Sequence, residues 1–136
     1  MASVEKALVV RHREIVPKYY ELEFIAPGIA AEALPGQFVH IRVGESLDPL
    51  LRRPFSIYNV DKNLGSITVF YKVVGYGTRL LSRIHMESRL DVMGPLGKPF
   101  SIPAGIRSAY LVGGGVGIAP LVYLARVLAE NKIRCK

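Results

Sequence analysis

The sequence predicts a mainly-β protein: a closed or nearly closed antiparallel barrel, then the opening of a parallel βαβ unit. Three observations carry this expectation. Over the first hundred residues apolar side chains alternate with polar ones at a period of two. Glycine and proline turn signals separate those runs at short, regular spacing. From about Arg107 the pattern changes to a short apolar run, a glycine loop and a helical stripe.

Tyr20, Leu22 and Phe24 alternate with Glu21 and Glu23; Val39, Ile41 and Val43 alternate with His40 and Arg42. Ile67, Val69, Tyr71 and Val73 alternate with Ser66, Thr68 and Lys72. Turns are expected at Pro27-Gly28, Pro35-Gly36, Asp61 to Gly65 and Gly94-Pro95. One helix is expected to interrupt the barrel, as a lid over one end. It follows Gly75-Tyr76-Gly77, with Thr78 as its N-cap and Leu80, Leu81 and Ile84 on one face. In the second part Ala109 to Val112 reads as a strand and Gly113 to Gly117 as a loop. A helix then shows Ile118, Leu121, Val122, Ala125, Leu128 and Ala129 on one stripe, with Pro120 in its first turn. Asn131 ends it, and Lys132 to Lys136 opens another strand. The expected domains are 1–103 for the barrel and 107–136 for an incomplete α/β domain. A parallel strand needs neighbours on each side, so the sequence is expected to be an N-terminal fragment.

The chain has 136 residues, half of them hydrophobic and 21% charged, a globular composition with enough length for a core. Its net charge of +7 favours anionic partners such as phosphorylated cofactors. The basic residues form no run of five or six, which argues against a nucleic-acid tail. Glu5 and Lys6 interrupt the first apolar stretch, so it does not read as a signal peptide. Ser108 to Ala125 carries no charge, but its four glycines and Pro120 split it into strand, loop and helix; no membrane span is expected. The single cysteine, Cys135, excludes a disulfide framework and fits a reducing, cytoplasmic setting. Neither a zinc-protease nor a serine-hydrolase motif occurs, and no metal site is expected. His12, His40 and His85 stand isolated and read as surface or barrel residues.

Three motifs remain. Arg52-Arg53-Pro54-Phe55-Ser56-Ile57 places a guanidinium, which matches a phosphate, just before a hydroxyl on a strand. Its plain alternative is a surface arginine. Tyr71-Lys72-Val73-Val74-Gly75-Tyr76-Gly77-Thr78 sets two glycines at a helix start, where free N–H groups attract phosphate; its alternative is an ordinary turn. Gly113 to Pro120 sits between strand and helix, the position of a dinucleotide loop. Ile118 stands where the third glycine of the strict fingerprint belongs, so a structural glycine turn stays open.

Taken together and in this order, the motifs resemble those of the ferredoxin–NADP reductase superfamily, in which a Greek-key flavin-binding barrel precedes a nucleotide-binding α/β domain. Arg53, Phe55 and Ser56 match the family's flavin motif. Gly77 and Thr78 match its second, and Gly113 to Pro120 its third. Within the superfamily, Leu50-Leu51-Arg52-Arg53-Pro54, Val73-Val74-Gly75 and Gly94-Pro95-Leu96-Gly97 look most like the electron-transfer subunits of dihydroorotate dehydrogenase B. Flavin subunits of NAD(P)H-dependent ferredoxin or sulfide oxidoreductases share these signatures and form the alternative. A flavin-free basic barrel that binds another macromolecule is the alternative of another class.

The resemblance implies FAD and NAD(H) as cofactors. Arg53 would hold the FAD pyrophosphate, Pro54 would fix the approach, and Phe55 would lie against the flavin ring. Ser56 would be the catalytic hydroxyl beside flavin N5. Tyr71, Lys72 and Val73 would flank the cofactor, partly through backbone groups, and Gly77 and Thr78 would cap a phosphate. Gly115, Gly117 and Pro120 would shape the floor for NAD(H). The resemblance also implies a 2Fe–2S cluster, whose four cysteine ligands this sequence does not contain. The implied partner is an FMN-containing dehydrogenase subunit or another redox subunit, in pyrimidine biosynthesis; the fragment alone is expected to be inactive.

Overall fold

A computed structural model describes residues 1–44 and 51–136. Six strands, β1 (Ser3–Val16), β2 (Tyr19–Ile25), β3 (Phe38–Arg42), β4 (Arg53–Asp61), β5 (Ser66–Lys72) and β6 (Arg89–Leu96), close into a barrel. Their order is β1-β2-β5-β4-β3-β6, and every pair is antiparallel. β3, β4 and β5 form a meander, and β2 lies beside β5, so the connection from β2 to β3 makes a Greek key. Closure leaves no free sheet edge among the six described strands.

The two-residue alternation sets which side chains fill the barrel. Leu22 and Phe24, Val39 and Ile41, and Ile67 and Val69 are fully buried, as their spacing predicts, and Val9, Ile57 and Val92 join them. β5 departs from simple alternation. Ser66 and Thr68 are buried too, and the Ser66 hydroxyl donates to Glu23 Oε1 at 2.7 Å. A hydroxyl can be buried here because a carboxylate on β2 satisfies it.

Three local expectations need correction. Pro27-Gly28, expected as a turn, opens helix α1 (Pro27–Glu32), with proline in the first turn and Ile29 and Ala30 buried. The Ile29 N–H at its start is taken by Glu5 Oε1, 2.7 Å away. Gly94-Pro95 is not a turn but part of β6, with Gly94 opposite Ser3 of β1. Helix α2 (Tyr76–Leu81) begins one turn earlier than expected, and Gly75, not Thr78, is its N-cap. Leu81 is its fully buried anchor. The turns at Pro35-Gly36 and Asp61 to Gly65 form as expected; in the second, Asp61 Oδ1 accepts the Asn63 and Leu64 N–H groups.

The second part is a short βαβ unit: β7 (Ser108–Ala109), a 3-10 turn at Gly115–Ile118, α3 (Ala119–Glu130) and β8 (Arg134–Cys135) parallel to β7. Leu111 N–H to Lys136 O extends that ladder by one bond. The stripe expected on α3 is only partly its buried face. Ala119, Tyr123, Leu124 and Leu128 are buried, whereas Ile118 and Ala129 are exposed. The helix has two neighbours, which a single stripe does not anticipate. Tyr123 and Val127 pack into the barrel core, while Ile133 N–H bonds Leu128 O on the β8 side.

Candidate functional site

The start of β4 meets the start of α2. Along β4 the burial alternates, with Phe55 and Ile57 inward, Pro54 exposed and Ser56 half-buried on the outer face opposite Phe38 of β3. Of the two arginines before this run, Arg52 turns away. Its Nη1 donates to Asp91 O at 3.0 Å and forms an ion pair with the Asp91 carboxylate. Lys6 Nζ reaches the same carboxylate at 3.2 Å. Burial raises the Asp91 pKa, but the hydrogen bonds and charges of Arg52 and Lys6 outweigh it and hold the carboxyl below its ordinary value.

Arg53 is placed differently. Its Nη1 donates to Leu51 O at 2.7 Å, and its side chain crosses Gly77 at the start of α2. A Cβ built on Gly77 would lie 2.8 Å from Arg53 Nε and 3.4 Å from Cζ. Glycine at 77 is therefore the space in which the guanidinium stem rests.

Thr78 organises the same helix tip. Its Oγ1 accepts the Val74 N–H at 2.9 Å and the Gly75 N–H at 3.2 Å, and its hydroxyl donates to Gly75 O at 3.2 Å. Arg79 N–H closes on Gly75 O, so the helix is in register from its first turn. The N–H groups of Tyr76 and Gly77, next to Arg53, have no acceptor within the helix. The Arg53 side chain thus lies at the first turn of α2, beside backbone donors that the helix itself does not use, a combination suited to a diphosphate.

Beneath this surface lies an aromatic and imidazole cluster. The Phe55 ring meets Tyr71 edge-on, with centroids 5.5 Å apart, and Tyr71 stacks on Tyr20 at 5.6 Å. The Tyr71 hydroxyl lies 2.9 Å from His12 Nε2, and His12 Nδ1 lies 2.8 Å from Ile84 O. Burial, with a smaller contribution from Tyr20, pushes the Tyr71 phenol far above its ordinary value. Phe55 is only 6% exposed, so its ring is engaged inside the barrel and not laid open on the outer face. Lys72 is exposed and sits over the Tyr19 ring, 5.2 Å from its centroid. Val73 packs against the core and its N–H donates to Lys18 O at 2.8 Å.

Gly115, Gly117 and Pro120 lie in the second part. Gly115 has φ +55°, a conformation that favours glycine, and nothing crowds a Cβ at either glycine. Two contacts orient this loop relative to the barrel. The Tyr123 hydroxyl donates to Ala33 O at 3.1 Å, and Arg126 Nη1 donates to Asn59 Oδ1 at 2.5 Å. A groove between the barrel and α3 is bordered by Asp61 to Asn63 on one side and Val127 and Glu130 on the other. The second half of the helix therefore sits beside the end of β4. The 3-10 turn borders β5.

The structure brings Arg53, Gly77 and Thr78 together, backs them with Phe55 and Tyr71, and leaves Lys72 on the outer surface. Leu50, the first residue of the Leu50-Leu51-Arg52-Arg53-Pro54 signature, lies outside the described residues. Among the described residues no group of three His, Cys, Asp or Glu could hold a metal, and no helix is long and apolar enough to cross a membrane. His12, which bonds Tyr71 and Ile84, and Asp91, which holds Arg52, are neighbours of the candidate site that sequence reasoning missed. Their partners lie 72, 59 and 39 positions away, beyond any local pattern.

No protein-family model matches the chain. It is 45% identical over 132 residues to the electron-transfer subunit of dihydroorotate dehydrogenase B (NAD(+)) from Desulforamulus reducens, covering 97% of this chain and 50% of that protein. The subunit of the same name from Geobacillus thermodenitrificans is 44% identical over 136 residues, covering 98% and 52%. Among solved structures, an NADH-dependent reduced ferredoxin–NADP oxidoreductase superposes with a TM-score of 0.81 at 34% identity, over 93% of this chain and 45% of the other. The chain has the fold of the ferredoxin–NADP reductase superfamily. The ferredoxin reductase of carbazole 1,9a-dioxygenase shares the superfamily fold with it, at a TM-score of 0.80 and 26% identity over 95% and 40% of the two chains. The chain spans about half the length of the curated relatives it matches.

Proposed function

We propose that the chain is the FAD-holding part of an electron-transfer subunit. The subunit passes electrons between NAD(H), FAD and an iron–sulfur centre, in support of dihydroorotate oxidation by an FMN-containing partner subunit. The relatives' shared name supports the reaction, and one geometric observation supports the site. The Arg53 guanidinium stem rests in the space left by Gly77, at the first turn of α2.

FAD, when bound, supplies the exchange of a hydride with the nicotinamide and the release of single electrons to the next carrier. The side chains of this protein bind and orient it. Arg53, with the Tyr76 and Gly77 N–H groups, neutralises and aims the diphosphate. Pro54 and Ser56, on the outer face of β4, would flank the ring, and the Ser56 hydroxyl would supply a hydrogen bond at its reactive edge. Phe55 supports that segment from inside and does not itself cover the ring. Backbone groups of Tyr71, Lys72 and Val73 line the cofactor. In 107–136, Gly115, Gly117 and Pro120 shape the approach of NAD(H), and 1–103 forms the FAD part. Cys135 is not a cluster ligand. Its thiol lies 3.7 Å from Ile133 O and 4.0 Å from Ala125 O, against the βαβ backbone.

The test is reconstitution of the complete polypeptide with excess FAD. The expected result is stoichiometric uptake with the visible flavin bands, and a lower flavin content in Arg53→Ala. Equal retention in the variant and the parent protein rejects the assignment of Arg53, and no uptake by either rejects the function.

A further inference from the structure

His12 is read from sequence as an isolated barrel histidine. In the fold its side chain joins β1, β5 and the segment after α2. It sits on β1 opposite Leu22, its ring is tilted on Tyr20 at 5.4 Å, and both ring nitrogens have partners. Nδ1 faces the Ile84 carbonyl, which can only accept, so Nδ1 carries the proton of the neutral ring. Nε2 is then an acceptor, and the Tyr71 hydroxyl must donate to it. Burial keeps that phenol protonated and able to donate. Tyr71 in turn presses its ring against Phe55, the residue between Pro54 and Ser56.

We propose that His12 is a positioning residue for the flavin site: by tying the Tyr71 hydroxyl to the Ile84 carbonyl it holds the end of β5 and the exit of α2 in one arrangement beneath Phe55 and Ser56. Of the segments it ties together, β5 supplies Tyr71 to Val73 and the stretch with Ile84 follows the helix of Gly77 and Thr78; β4, which supplies Arg53 to Ser56, is reached through the Phe55 ring against Tyr71. A slack tie lets these segments shift independently. A multi-point site loses affinity when its contacts no longer fit at once. The inference rests on the proposed FAD site.

The experiment uses the full-length protein with FAD as the probe, comparing the parent with His12→Phe, Tyr71→Phe and the double variant. His12→Phe keeps an aromatic ring without either hydrogen bond, and Tyr71→Phe removes one hydroxyl. Three quantities are read: the FAD dissociation constant by fluorescence quenching, the visible circular dichroism at saturating FAD, and the melting temperature of the apoprotein. The expected result is about a tenfold weaker dissociation constant in each single variant, a double variant no weaker than the weaker single one, and an altered dichroic spectrum of the bound flavin. His12→Gln, which can present an acceptor toward Tyr71, is expected to recover part of both. Unchanged affinity and spectrum in the single variants overturn the proposal. So does a double variant whose loss is the product of the two, or a lower melting temperature with an unaltered spectrum at saturation. If His12→Phe does not fold, Tyr71→Phe alone decides, by the same readouts. Failure of the parent protein to bind FAD is a separate result, which rejects the site and not the tie.

Discussion

Substituting Gly77→Ala separates binding from folding at this site. The added methyl group would lie 2.8 Å from Arg53 Nε and 3.3 Å from its Cγ. Both are mid-chain atoms, so the whole side chain must move, not merely its tip. The backbone itself has no objection, because Gly77 does not have a positive φ and stands in a helix. Alanine there gains at most about 1 kcal/mol of helix propensity. Apoprotein stability is therefore expected to stay within about 1 kcal/mol of the parent. The cofactor, in contrast, loses a charge-assisted hydrogen bond worth roughly 1.5–3 kcal/mol. That corresponds to a dissociation constant roughly 10- to 150-fold weaker. The assay is paired: thermal unfolding of the apoprotein, and FAD titration by fluorescence. An Arg53→Ala background supplies the control, since Gly77→Ala should then cost nothing further in affinity. Undiminished FAD affinity in Gly77→Ala, or a full additional loss in the Arg53→Ala background, refutes the reasoning that the glycine exists to seat this arginine.

Three other outcomes are expected. Ser56→Ala should slow flavin reduction by NADH in stopped flow by more than it weakens FAD binding; an unchanged rate removes the hydroxyl from the mechanism. Tyr123→Phe leaves the buried Ala33 carbonyl without its donor, costing about 1 kcal/mol, seen as a melting temperature roughly 3–5 °C lower. An unaltered transition would mean that this bond does not hold α3 to the barrel. The Asp91 pKa is lowered in the folded protein, so its ion pairs with Arg52 and Lys6 contribute stability above the unfolded carboxylate value of about 4. That contribution is lost as the pH falls through the still lower folded value. Asp91→Asn should accordingly be less stable than the parent in urea at pH 7, with the gap narrowing below about pH 4; a gap independent of pH would contradict the pairing.

Much of the barrel was legible because its cause is local. In β2, β3 and β5 a period-two pattern must bury one face, and Leu22, Phe24, Val39, Ile41, Ile67 and Val69 are indeed its core. The switch at Arg107 was legible for the same reason, since a glycine loop before a helical stripe has few other uses. The errors also share a cause. Pro27-Gly28 and Gly94-Pro95 carry the same local turn signal as Pro35-Gly36. Only long-range partners, Glu5 in one case and Ser3 in the other, make the first a helix start and the second a strand. Thr78 suits either the N-cap or the third position of a helix, and the anchoring of Leu81 in the core settles which.

By itself, then, the sequence determined the class of fold, the order of its motifs and the residue types available to a phosphorylated, redox-active cofactor. Those follow from periodicity, turn chemistry and motif spacing, which act over a few residues. Tertiary structure alone decided the division of labour between adjacent arginines, with Arg52 paired with Asp91 and Arg53, bonded to Leu51 O, lying over Gly77. It also decided that Phe55 faces inward and that His12 is tied to Tyr71 and Ile84. The physical reason is closure of the barrel: it brings β1, β4, β5 and α2 together across dozens of residues, and each polar side chain then takes the partner that burial leaves within its reach.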